Sequence, residues 1–517
     1  MARIAAIERA WPALAAGASL MAILGLLGFN DGGYFPPSFI AAGAAAFITL
    51  AVVVVGVASR TTMSSNALAG LGLLAAFALW SGVSAAWSTV ADVPVLDMQR
   101  SMLYVGLFGL ALVAADSPRH ARLLVWGMLG VTVLIVGAGL LSRLEPDLLA
   151  GSSDPFTNLA YRLGYPLEYW NAFGAMASMG GVLALGLAAD RRAAAARRAV
   201  FAGTSALLLV AMYLSLSRGA WMALAVGLVV LVALAPNRGS LLVSALLVGG
   251  ALAIAVLRLR SYPALVDNPA AGSGQEAQGN AFTVELVALV AGVAGLQGLL
   301  ASKRVLQRVK RRARELRRPA SLMVAVLLVA VAAIGYAARG HDARAWVDRQ
   351  WQDFMQPTAA GTAASGTTRL FSTSGARSEA YRVAFDGFQA QPIRGEGAGS
   401  FAARWTLTRR VDLTLHDAHS LVLETLAELG LIGGLLLIGF LVAVGRGAVH
   451  SMRGRGVLSP APAAGVAAAV SVWLAHACVD WDWQMPALTG IALVLAAALT
   501  QRRRRRRPRS RRVHAAA

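Results

Sequence analysis

The chain has 517 residues, 57% of them hydrophobic and only 14% charged, with a formal net charge of +21. Its apolar residues fall in runs of about 20, the length that crosses a bilayer core, which excludes a string of soluble domains. A single cysteine, Cys478, excludes a disulfide framework or a thiolate metal site and leaves the compartment undecided.

The apolar runs predict spans near 11–29, 36–58, 67–87, 101–115, 120–141, 170–189, 199–217, 219–236, 241–259, 282–302, 319–338, 421–445, 462–479 and 484–500. The fold class is therefore an all-α polytopic membrane protein of about fourteen transmembrane helices, with one large, partly helical extracytoplasmic loop. Residues 1–338 hold helices 1–11, 339–420 form the large loop, 421–500 hold helices 12–14, and 501–517 are a basic cytoplasmic tail. The first run lacks a small-residue cleavage site and reads as a retained span, not a signal peptide.

Nine arginines lie in Arg502–Arg512 and nine Lys or Arg in Lys303–Arg318, both against ends of apolar runs. There they serve as cytoplasmic anchors touching anionic membrane lipids, and nucleic acid is not an expected partner. Arg3 and Arg9 put the N-terminus inside, and alternation then places Arg60, Arg122, Arg192, Arg197, Arg238 and Arg446 on the same side. The opposite face receives 30–35, 88–100, 142–169, 217–219, 260–281, 339–420 and 480–483.

Four motifs share that outer face: Arg162-Leu163-Gly164-Tyr165-Pro166-Leu167-Glu168-Tyr169-Trp170-Asn171; Ser217-Arg218-Gly219; Arg377 to Tyr381, followed by Pro392-Ile393-Arg394-Gly395-Glu396-Gly397-Ala398-Gly399; and His416-Asp417-Ala418-His419-Ser420 leading into Leu421–Gly430. Arg218 interrupts a long apolar stretch, and an arginine near membrane depth is costly unless it faces protein or water. It reads either as an anion ligand or as an end-marker that snorkels outward. Arg377 heads a segment with Tyr381, Phe385 and Phe388 at helical spacing. It can equally be solvated, as can Arg162 and Arg394. The Gly395-x-Gly397-x-Gly399 turn lacks the strand–helix frame of a nucleotide fold and reads as a close backbone approach.

An imidazole titrates near neutrality, so His419 can accept a proton at physiological pH, or it can simply line the start of the helix. His416 is its alternative. Glu424 and Glu428 share one helix face and either pair with arginines or are structural. Asp480-Trp481-Asp482 is a D-x-D pattern that can hold a metal. Pairing of its acids with the arginines, and of His476 nearby, is the simpler reading, and no metal or cofactor is expected.

Together the motifs resemble the O-antigen ligase/polymerase superfamily of bacterial envelope glycosyltransferases. The strongest match is His419 and Ser420 followed by Gly430. Ser217-Arg218-Gly219, Arg377 with Tyr381, Pro392 with the glycine turn, and Pro166–Asn171 support it. Gly433 departs from the pattern, which carries threonine there, and about fourteen spans exceed the twelve typical of ligases. The resemblance implies a type-C glycosyltransferase-like fold in a bacterial inner membrane. It implies metal-independent transfer from a polyprenyl-diphosphate-linked glycan to a glycan or lipid-glycan acceptor on the outer face. His419 would be the general base, Arg218, Arg377 and Arg162 would bind the diphosphate, and His416, Glu428, Arg394 and Asp480 would be secondary. A polymerase of the same superfamily is the nearest alternative. A lipid or polysaccharide transporter is the alternative of another class, disfavoured because the spans carry ionisable residues only near their ends.

Overall fold

The computed structural model describes residues 2–57, 63–149, 162–266, 272–302 and 377–503. The expected span 319–338, the linker 303–318, the start of the large loop and most of the arginine tail lie outside these residues. Among those described, every element is a helix, apart from one isolated bridge between Gly456 and Arg502.

In chain order the α-helices are α1 (Ala2–Gly28), α2 (Pro36–Val57), α3 (Ser65–Val83), α4 (Val93–Ala114), α5 (Pro118–Leu144), α6 (Trp170–Ala188), α7 (Ala195–Leu214), α8 (Arg218–Leu234), α9 (Arg238–Leu259), α10 (Pro263–Val266), α11 (Gly272–Ala301), α12 (Arg377–Ala390), α13 (Ser400–Thr408), α14 (Leu421–Met452), α15 (Pro460–Ala477) and α16 (Pro486–Thr500). Ten of the described helices are long and apolar enough to cross a membrane. α8 and α16 are shorter apolar helices. The expected spans on described residues all meet helices, with two instructive boundary errors: α4 begins at Val93, not near 101, and α11 at Gly272, not near 282. Pro94 suits a first turn, where its missing N–H costs nothing. Asp97 and Arg100, three residues apart, satisfy each other along the helix at 2.8 Å.

α6 and α16 form the centre. α6 is buried from Asn171 to Ala188 and α16 from Pro486 to Thr500. A helix that is apolar all round can be enclosed completely, and here its neighbours are themselves apolar. α6 packs on α7, α8 and α15, while α16 packs on α4, α14 and α15. At the α6–α15 crossing a Cβ on Gly186 would lie 2.7 Å from the Cα of Gly465, so small residues set the approach. α2, α9 and α11 are peripheral and present exposed apolar side chains such as Val55, Leu246 and Val284, as a lipid-facing surface requires.

α14 is two helical pieces joined at Gly430, which has φ 64° and ψ −161°, a conformation essentially closed to residues with a Cβ. The glycine turn docks at this break. Leu431 N–H donates to Pro392 O (2.9 Å) and Gly397 N–H to Glu428 O (2.8 Å). Gly395 (φ 73°) comes so close that a Cβ there would sit 2.2 Å from the Glu428 carbonyl. The aromatic stripe of α12 does not form its buried face: Phe385 is 49% exposed, and Ala380, Val383 and Ala384 pack inward. Small side chains are what close packing of α12 on α14 admits.

Candidate active site at the loop end of the bundle

The short stretches between helices meet at one end of the bundle. Ser420 caps α14, its hydroxyl accepting from Leu423 N–H at 3.4 Å, which leaves His419 as the residue before the cap. His419 takes φ 54°, the left-handed region that non-glycine residues rarely occupy. Several bonds hold it there. Tyr381 Oη donates to His419 O (3.3 Å), and Ala418 N–H donates to Glu424 Oε2 (2.7 Å). Glu424 Oε1 also accepts from Gln484 Nε2, tying the turn to the 480–485 stretch.

The ring of His419 lies 3.1 Å, through Nδ1, from Asp417 O. A carbonyl can only accept, so Nδ1 carries the hydrogen and Nε2 presents a lone pair. Burial pushes the imidazole pKa below its ordinary value; the charge of Asp480 opposes this and that of Arg377 adds to it. The ring is therefore neutral at physiological pH. Burial pushes the neighbouring Asp417 carboxyl up to about 7 against the opposing charge of Arg100.

Arg377, at the start of α12, donates through Nη2 to Asp480 Oδ2 at 2.7 Å. Asp480 is buried and fully engaged: Tyr169 Oη donates to Oδ1 (2.6 Å), Trp481 N–H to Oδ1 (3.0 Å) and Asn171 Nδ2 to Oδ2 (2.8 Å). Burial alone would raise its pKa, but the Arg377 charge holds the carboxyl below the ordinary range. Tyr169 stacks on Trp481 at 4.2 Å between ring centroids.

Arg218 occupies the first position of α8, directly after the cap Ser217, whose hydroxyl accepts from Ala220 N–H at 3.2 Å. The turn before it is pinned by Arg162, which is buried. Arg162 Nε donates to Ser215 O (3.0 Å), and Nη2 donates to Leu216 O (3.3 Å) and Asn171 Oδ1 (2.7 Å). Its guanidinium also lies 4.6 Å from the Trp170 ring centroid. Gly219 backs onto His476, leaving no room for a side chain: a Cβ would sit 2.9 Å from Nε2. His476 Nδ1 and Asp482 Oδ2 are 2.7 Å apart, both buried. The two acids of the D-x-D pattern thus face different partners, Asp480 toward Arg377 and Asp482 toward His476. No cluster of three metal-ligating side chains occurs among the described residues.

The structure draws His419, Arg377 and Asp480 into one electrostatic cluster. It links Arg162 to it through Asn171, and Arg218 heads the neighbouring helix α8, next to Gly219, which packs on His476. His416 is solvent-exposed. Arg394 lies over Trp87 at 5.3 Å, away from this cluster's hydrogen bonds. Glu428 is buried and accepts from Phe401 N–H (3.1 Å), which caps α13. Asp97 and Arg100 escaped the sequence reading, because 88–100 looked like a connection. With Ser101, Glu424, Glu428 and Gln484 they flank or line a polar cavity of about 30 Å³, room for a single water. Their signal was the opposite-charge pair spaced i, i+3 just ahead of the apolar run that begins at Met102.

Fold and site together define a polytopic helical membrane protein with a cluster of arginine, carboxylate and histidine side chains at the loop end of its bundle. Residues 286–438 match the family model described as O-antigen ligase, a similarity that supports the O-antigen ligase superfamily. That family transfers glycans in envelope biosynthesis. The match includes Arg377, His419 and Gly430, while Arg162, Arg218 and Asp480 lie outside it. No curated protein matches the chain.

Proposed function

We propose that this chain is a ligase-type glycosyltransferase. It moves a glycan from a polyprenyl-diphosphate carrier to an acceptor hydroxyl on the extracytoplasmic face of a bacterial inner membrane. The observation that carries this reading is the His419 ring: neutral, its Nε2 lone pair unspent, and set in the field of the Arg377–Asp480 pair. In the proposed step Nε2 accepts the acceptor's hydroxyl proton while the acceptor oxygen bonds to the anomeric carbon. The bond from that carbon to the diphosphate oxygen breaks, with inversion, and polyprenyl diphosphate departs with the electron pair. Arg218 and Arg377 hold its charge, because a guanidinium fork matches phosphate oxygens bidentately. Arg162, buried among backbone carbonyls, acts by fixing the 215–217 turn ahead of Arg218 rather than by the direct diphosphate contact expected from sequence.

The same reading makes transfer independent of metal, since arginine neutralises the leaving group. Purified protein given lipid-diphosphate glycan and acceptor should form product in the presence of EDTA. Loss of activity that Mn²⁺ restores would overturn the arginine clamp and return Asp480 and Asp482 to consideration as ligands.

A polymerase of the same superfamily is the second reading, and Gly433 favours it. A Cβ at Gly433 would lie 2.3 Å from the Leu429 Cβ, so in this chain the break in α14 leaves no room for the threonine of the ligase pattern.

A further inference from the structure

A second charged cavity lies at the other end of the bundle. α7 and α15 both run from it to the site: α7 ends at Leu214, whose carbonyl accepts from Leu163 N–H, and α15 ends beside His476. Helices of 20 and 18 residues put the two ends about 27–30 Å apart, one bilayer core. The basic residues near it mark this end as the cytoplasmic one under the positive-inside rule.

The cavity measures about 260 Å³ and its lining includes Arg122, Arg192, Arg197, Trp126 and Phe201. Its two walls are built alike. On α5, Arg122 is followed four residues later by Trp126; on α7, Arg197 is followed four residues later by Phe201. Each helix thereby presents a guanidinium at its mouth and an aromatic ring one turn deeper. The rings lie 6.1 Å apart between centroids, and the Arg197 guanidinium lies 5.5 Å from the Trp126 centroid. No ion pair engages Arg122, Arg192 or Arg197 among the described residues. The single carboxylate in the lining, Asp190, accepts from Arg192 N–H at 2.9 Å and closes its own turn. The adjoining start of α7, after Ala194, has no side-chain cap, which leaves its first backbone N–H groups to favour an anion. Leu123 on α5 and Val200 on α7, each next in sequence to a lining residue, are exposed at 41% and 62% and give the two helices an apolar outer surface.

We propose that this cavity binds the phosphate headgroup of an anionic phospholipid of the cytoplasmic leaflet. The three arginines take the phosphate, Trp126 and Phe201 pack against the glycerol and upper acyl region, and the chains follow the exposed apolar surface of α5 and α7. A free phosphate ion would use the arginines but has no need of the aromatic layer or the apolar exit. The proposal is independent of the reaction at the other end.

Full-length protein in phosphatidylcholine nanodiscs, titrated with phosphatidylglycerol and read by native mass spectrometry, tests it. Wild type should retain phosphatidylglycerol selectively, and the triple variant R122Q/R192Q/R197Q should retain it about a hundredfold more weakly, each arginine being worth about fivefold. Should the triple variant not fold, Arg192→Glu alone, at an exposed side chain, should weaken retention about fivefold or more. Retention unchanged by these substitutions, or no preference over phosphatidylcholine in wild type, overturns the proposal. Complete displacement by millimolar inorganic phosphate also overturns it and assigns the cavity to the free ion.

Discussion

His419 holds a left-handed backbone, φ 54°, that costs a non-glycine residue on the order of 1 kcal/mol or more. The surrounding bonds from Tyr381, Ala418 and Ser420 sustain it, and the result aims the imidazole rather than letting it follow the helix. If that ring is the general base, His419→Ala should reduce transfer by at least about a hundredfold, while the exposed His416→Ala leaves most of it. The reverse pattern in initial rates would place the base three residues upstream. The pH dependence carries a sign as well. Burial lowers the His419 pKa, so the neutral, active form persists below the ordinary value near 6.5 and is lost only on further acidification. The acid limb of kcat/KM should therefore have its midpoint below about 6.5. A midpoint above 7, absent from the same profile of a His416 variant, would exclude His419 as the titrating group.

α14 owes its shape to two glycine sites. The break at Gly430 frees backbone groups that the Pro392–Gly397 turn then satisfies, so turn and break are one feature although 33 residues or more of chain separate them. Gly430→Ala would place a Cβ 2.3 Å from Ile393 O in a conformation closed to alanine, and should cost about 3 kcal/mol or more. Gly445→Ala, in the same helix with nothing within 4 Å, should be neutral or stabilise by up to about 1 kcal/mol. Thermal unfolding of the two variants in detergent separates them, and equal midpoints would deny the break a structural role. The sequence showed the helix, because its apolar run is long. It did not show the break, since Gly430 among Leu and Ile reads no differently from Gly445.

At the scale of the whole molecule, the question is which product the membrane receives. Removing the chain from its host should alter long envelope glycans. Long chains stranded on the lipid carrier would mark a ligase, loss of all long chains a polymerase, and an unchanged glycan profile would contradict glycan transfer altogether. The apolar helices among the described residues were legible in the sequence, because hydropathy acts within each segment and needs no knowledge of its neighbours. The pairing of the polar residues was not legible. Arg162, Arg218, Arg377 and Arg394 lie on one predicted face with equal charge. Yet Arg377 finds Asp480 across 103 residues, Arg162 finds Ser215 across 53, and Arg394 lies over Trp87. Only the tertiary structure decided this, because a guanidinium's role depends on which carbonyl, carboxylate or ring the packed helices bring within hydrogen-bond reach.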